Sequence, residues 1–225
     1  MKNFIGIYDN ALTKESCRDI IEQCERDSFS KGNNKQNMFP FTEEAPWVDE
    51  SRDFLTRSYP RLSDTSNYIS YTLMHSLLKY TPKYVESNKE LRTHVNKWHH
   101  YEEFNIQKYN PKHYYDILHC EMDGIDAVSE QELVYDRMLV WMFYLNDIRD
   151  GGGTFFPQYN KIVKAREGRL VIWPAYWTHM HRGIVSNTQT KYIATGWYNF
   201  TERSDVEEWT MVHGGEEHVR KSILA

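Results

Sequence analysis

The sequence predicts an α+β chain in which helices precede a sandwich or jelly-roll barrel of short strands, and three observations carry that prediction. Apolar residues recur at helical spacing over 13–24 and 65–80. From about 104 to 200 the texture changes to short runs rich in Tyr, Val, Ile, Phe and Trp, broken by Gly, Asp, Asn and Pro and without intervening helices. The length, 225 residues with 16 Tyr, 10 Phe and 7 Trp, suits one domain with a sizeable core. The expected organisation is a single domain over 1–225, with a mostly helical support region at 1–103, the strand core at 104–200 and a C-terminal extension at 201–225.

Taken in order, a strand-like start at 4–8 leads into a helix on which Cys17, Ile20, Ile21 and Cys24 share a face, with Thr13 as its N-cap. Residues 31–37 are Gly, Asn, Lys and Gln alone and read as a loop suited to lie over a site. In the second helix Ile69, Leu73, Leu77 and Tyr80 line one face, and Pro82 is expected to end the pattern. The strand candidates are 105–109, 115–121, 138–145, 154–156, 169–173, 183–185 and 191–200. The tail 201–225 mixes charge with Trp209, Met211 and Leu224, as a docked or fraying terminal helix does.

Composition argues against several functions. Lys plus Arg total 27 against 32 Asp plus Glu, a net charge of −5, so no nucleic-acid partner is expected. No apolar run approaches the ~18 residues of a membrane span, and the first eight residues lack the parts of a signal peptide. Neither membrane insertion nor secretion is expected. Cys17, Cys24 and Cys120 form no disulfide framework, and the first two lie too far apart along a helix to be bridged. The expected compartment is the reducing cytoplasm.

Ten histidines yield two His-x-Glu triplets, His100-Tyr101-Glu102 and His119-Cys120-Glu121, about what chance allows. Residues i and i+2 of a strand face one side, so either triplet presents an imidazole and a carboxylate to one ion. Context separates them. Downstream of His119 stand Tyr144-Leu145-Asn146-Asp147, Gly151-Gly152-Gly153-Thr154-Phe155-Phe156-Pro157, Gly168-Arg169-Leu170-Val171-Ile172-Trp173-Pro174 and His181-Arg182-Gly183, with Lys191 ten residues beyond His181. Over 109–197 this pattern resembles the Fe(II)- and 2-oxoglutarate-dependent oxygenases, and within them the prolyl 4-hydroxylase-like group. Their catalytic domain carries His-x-Asp, Gly-Gly-x-Thr-x-Phe, a distal His followed by Gly, and a basic residue about ten positions further on. Two positions depart from the family: Glu121 stands where Asp is most often found, and Lys112 where a Gly often follows the tyrosine that opens the motif.

The resemblance implies a double-stranded β-helix, the cupin-like jelly-roll, with the N-terminal helices packed on its sheet. It implies Fe(II) held by His119, Glu121 and His181, with 2-oxoglutarate and dioxygen consumed in a hydroxylation that releases succinate and carbon dioxide. Two imidazoles and one carboxylate on one side of an octahedral Fe(II) leave positions for a chelating 2-oxo acid and for dioxygen. Lys191 is the cation implied for the far carboxylate of 2-oxoglutarate, and Tyr109 and Tyr144 the hydroxyls beside it. Strand alternation sets Thr195 and Trp197 on the face of Lys191, which makes Thr195 a further co-substrate candidate. Arg182 and Trp197 are candidates for the prime substrate, a prolyl residue in a peptide or a small amino-acid-like molecule. His179 competes with His181 as a ligand, and a His179-x-His181 pair would make a cupin-like site; the register with Gly183 and Lys191 favours His181.

Two rival functions belong to other classes: a non-catalytic metal-binding jelly-roll protein in which Glu121 spoils the geometry, and an oxidative demethylase of nucleic-acid bases, which the net charge of −5 disfavours. The triple glycine reads as a tight hairpin, because no Gly-Lys-Ser/Thr follows it as a phosphate cradle requires. Cys120 reads as a core thiol pointing away from the metal face.

Overall fold

A computed structural model describes residues 2–26, 30–32, 54–91, 98–115, 117–122 and 137–200. The elements run β1 (Gly6–Tyr8), α1 (Lys14–Arg26), β2 (Ser30–Gly32), β3 (Phe54–Tyr59), α2 (Tyr68–Ser87), β4 (Trp98–Tyr109), β5 (Arg137–Tyr144), β6 (Thr154–Phe156), β7 (Lys161–Val163), β8 (Arg169–Pro174), β9 (Arg182–Gly183) and β10 (Lys191–Phe200). Among the described residues, a larger antiparallel sheet has the order β1-β8-β5-β10-β4-β3-β2 and a smaller one the order β7-β6-β9. The architecture is the expected α+β jelly-roll, with the helices packed on the larger sheet.

Both faces of the larger sheet are covered, which is why β5 reads Met-Leu-Val-Trp-Met-Phe-Tyr with no polar alternation. Leu139, Trp141 and Phe143 meet Ile20, Leu73 and Leu77 of the two helices, while Val140, Met142 and Tyr144 meet Phe156 and Val163 of the smaller sheet. The second of these layers is the barrel interior. Thr13 caps α1 as expected, its Oγ1 accepting from Ser16 N at 3.0 Å, and Cys17, Ile20 and Cys24 are fully buried. The three cysteines are buried and none is in a disulfide. Among the described residues no helix is long and apolar enough to cross a membrane.

Several expectations need correction. Among the described residues of 115–121 no strand forms; His119 and His181 make one isolated bridge, and Tyr115 accepts a bond from Gly183 N at 2.7 Å. Pro111 and the left-handed Lys112, at φ 69°, turn the chain there, so no continuous ladder forms. That φ is one glycine adopts freely and a lysine rarely. Pro82 does not stop α2, because Tyr84 and Val85 beyond it are 1% and 2% exposed, and their burial outweighs the hydrogen bond that proline removes. The cap of that helix is Asn67, whose Oδ1 accepts from Ile69 N and Ser70 N. The first 103 residues supply strands as well as helices: β1 to β3 and the start of β4 all join the larger sheet. Lys31 and Gly32 lie in β2, while 33–37 and the tail 201–225 fall outside the described residues. The strand expected at 183–185 is the two-residue β9, shifted one residue earlier.

Candidate metal centre

Backbone bonds bring the three candidate ligands together. His119 N donates to His181 O at 3.1 Å and His181 N to His119 O at 2.8 Å, while Glu121 N donates to Ala175 O at 3.0 Å. The donor atoms of His119, Glu121 and His181 then lie within 4.8 Å of one another. Glu121 Oε1 stands 3.4 Å from His119 Nε2 and 3.5 Å from His181 Nε2. Adjacent donors on an octahedral ion at ~2.1 Å stand about 3 Å apart, so the set is close to what such an ion requires.

The second ring nitrogens agree with that use. His119 Nδ1 is 2.7 Å from Ile117 O and His181 Nδ1 3.0 Å from His179 O. A carbonyl only accepts, so each Nδ1 carries a proton, which leaves each Nε2 to a second proton or to a metal. Burial by itself raises the pKa of Glu121, but hydrogen bonds and charge from His119 and His181 outweigh it and hold the carboxyl well below its usual range. Burial also depresses the pKa of His181. The bonds and charge that lower Glu121 come from imidazoles that hold a second proton on Nε2; a divalent ion would take the place of that proton, and the donor set fits a first-row ion such as Fe(II).

Lys191 opens β10 and is 7% exposed, its Nζ 4.2 Å from the centre of the Tyr109 ring. Burial alone lowers its pKa to about 8. Lys191 and Tyr109 are direct cross-strand partners. The Tyr109 hydroxyl donates to Gln107 Oε1 at 2.7 Å, and the Tyr144 hydroxyl lies 2.7 Å from Thr154 Oγ1. Burial raises the pKa of both phenols, which remain protonated donors. Thr195 Oγ1 donates to Trp141 O at 3.1 Å, within its own sheet.

Trp197 donates its indole N–H to Glu121 Oε2 at 2.9 Å. Arg182 is exposed on the outer side of the smaller sheet, over the Phe155 ring at 5.6 Å, while His181 beside it turns inward. His179 is committed elsewhere, with Nε2 2.8 Å from Asn3 O and Nδ1 3.0 Å from Thr178 Oγ1, and it takes no part in the donor cluster. His100 sits opposite Tyr198 on the helix side of the sheet, and the Glu102 side chain falls outside the described residues. Arg137 escapes sequence reasoning, and Thr154 is read there only as part of the triple-glycine motif. Arg137 reaches Glu121 Oε2 at 3.4 Å from the start of β5, and Thr154 partners Tyr144. A lone cation opening an otherwise apolar strand was the available signal for Arg137.

Residues 104–199 match the family described as the 2OG-Fe(II) oxygenase superfamily. Three solved structures share the fold. The viral collagen prolyl hydroxylase of Paramecium bursaria Chlorella virus-1, as its 2OG complex, is 18% identical at a TM-score of 0.61, over 89% of this chain and 97% of that one. A prolyl-4-hydroxylase of Pseudomonas putida is 14% identical at 0.58, over 89% and 95%. A prolyl hydroxylase of Trichoplax adhaerens, in complex with a hypoxia inducible factor oxygen degradation domain peptide fragment, is 16% identical at 0.59, over 88% and 84%. No curated protein matches the chain in sequence.

Proposed function

We infer that this chain, a 2OG-Fe(II) oxygenase of prolyl hydroxylase-like fold, hydroxylates an unactivated C–H bond in a prolyl residue of a peptide or in a small amino-acid-like substrate. The observation that carries the inference is the convergence of His119, Glu121 and His181 in the barrel that also buries Lys191. Bound together, Fe(II), 2-oxoglutarate and dioxygen supply the oxidising power for such a hydroxylation, with succinate and carbon dioxide as co-products.

The protein's part is placement. His119 and His181 would hold the iron through Nε2, each ring oriented by its Nδ1 bond to a carbonyl, and Glu121 would hold it through Oε1. Lys191 would take the far carboxylate of 2-oxoglutarate. Among the described residues no carboxylate pairs with its ammonium, and a buried charge of that kind is costly until an anion meets it. Tyr109 and Tyr144 offer protonated hydroxyls on the same interior, with Thr154 behind Tyr144. Val140, Met142, Val171 and Ile193 make the surrounding wall apolar, which keeps bulk water from the reacting groups. A peptide substrate is supported by the Trichoplax neighbour, whose structure holds a peptide fragment. On this reading 1–225 is a single catalytic domain.

The test is succinate release from 2-oxoglutarate with Fe(II) across a panel of proline-containing peptides and free amino acids. Stimulation by one of them above the uncoupled rate is expected. A yield no greater than that of His181→Ala protein would favour the non-catalytic rival, and turnover dependent on methylated DNA would replace the prolyl reading with base demethylation.

A further inference from the structure

A glutamate has one more rotatable bond than an aspartate to immobilise before its oxygen can meet an ion reproducibly. In this protein Glu121 is held at several points. Its N–H donates to Ala175 O at 3.0 Å, and its own carbonyl lies 3.5 Å from Arg137 Nη1. Both side-chain contacts from outside the histidines end on Oε2: the Trp197 indole N–H at 2.9 Å and Arg137 Nη1 at 3.4 Å. The Arg137 guanidinium in turn lies 3.8 Å from the centre of the Trp197 ring, so the two donors brace each other as well as the carboxylate. The pair meets because β5 and β10 are neighbours in the larger sheet, with Arg137 opposite Asn199 and Val140 opposite Trp197. Oε1 is left facing the two Nε2 atoms.

We propose that Arg137 and Trp197 are positioning residues that pin the outer oxygen of Glu121, so that the longer carboxylate meets the metal through Oε1 alone. The proposal rests on the reading of His119, Glu121 and His181 as the ligands. Both residues act through Glu121 here: the indole N–H and the guanidinium converge on the carboxylate, and neither reaches a histidine ligand in the contacts described above. Without the pin the side chain is free to rotate, offering the ion both oxygens or neither, and metal affinity falls. The same pair makes Glu serviceable at a position where the shorter Asp would sit farther from Arg137 and Trp197.

Equilibrium binding of Co(II) to the metal-free protein tests this without recourse to turnover. Trp197→Phe keeps a ring beneath the guanidinium but removes the N–H, and Arg137→Lys keeps the charge but loses the flat stacking. Each is expected to weaken Co(II) binding roughly ten- to hundredfold, with the thermal midpoint of the metal-free protein little changed. In a Glu121→Asp background, where the contacts with the outer oxygen are already broken, the same substitutions should cost about twofold or less. Co(II) affinity unchanged in both single variants overturns the proposal, and so does an equal loss in the Glu121 and Asp backgrounds, which marks a merely structural role. Wild type binding Co(II) no better than His119→Ala overturns the ligand reading itself, and is told apart because it needs no Arg137 or Trp197 variant.

Discussion

The two buried faces of the larger sheet are built for different ends. On the helix side Ile20, Leu73, Leu77, Trp141, Phe143 and Ala194 form an apolar layer so close that a Cβ on Gly196 would come within 2.3 Å of the Trp141 ring. On the barrel side Val140, Met142 and Ile193 give similar apolar ground, but Lys191, Tyr109, Tyr144 and His181 are set into it. Along β10 the two faces alternate residue by residue, Tyr192, Ala194 and Tyr198 against Ile193 and Trp197. One face holds the fold together. The other gives up stability by burying groups that a ligand must later satisfy.

Substitutions on each face should break that contrast or sharpen it. The largest effect is expected from His181→Ala, which should reduce metal-dependent succinate release more than about a hundredfold while the metal-free protein keeps its circular dichroism; retained turnover would remove His181 from the site. On the opposite face Leu73→Ala, at a fully buried position, should cost about 2–5 kcal/mol in urea unfolding yet leave kcat/KM per folded molecule unchanged. Lys191→Met should do the reverse, raising KM for 2-oxoglutarate by the equivalent of about 2–5 kcal/mol while stabilising the metal-free protein by roughly 1–3 kcal/mol at neutral pH. An unchanged KM would put the co-substrate cation elsewhere.

The smallest effect is a pH dependence. The pKa of Lys191 is about 8 in the folded protein against 10.5 when unperturbed. Below pH 8 the lysine is protonated in both states and its burial cost is fully present. Between about 8 and 10.5 the unfolded chain binds more protons, so this residue makes stability rise with pH. The advantage of Lys191→Met over wild type in thermal midpoint should therefore shrink across that window. Over the same range kcat/KM for 2-oxoglutarate should fall, because the free enzyme loses the ammonium that meets the carboxylate.

Where one residue's neighbours in sequence decide its conformation, the reading from sequence holds: β6 and β10 fall on the expected residues, and Thr13 caps α1. Partners far apart in the chain were not legible. Pro82 looks like a stop until Tyr84 and Val85 are seen buried beyond it, and β3 has no strong pattern of its own because the sheet pairs it with β4. At the candidate site, His119, Glu121, His181 and Lys191 were legible as candidates because their joint spacing carries the family resemblance. Arg137 stands on β5, in no motif with Glu121, and the bond from His179 to Asn3 links residues 176 positions apart. Local spacing carries no trace of such contacts.

The bridge between His119 and His181 consists of two backbone hydrogen bonds that tie the segment leading to Glu121, which joins no strand ladder, to the residue before β9. An ion held by both imidazoles would turn that slender contact into a cross-link, a removable staple between the two segments. Its strength would scale with the logarithm of free metal over its dissociation constant. Without the ion, the two segments would be joined there by backbone bonds alone.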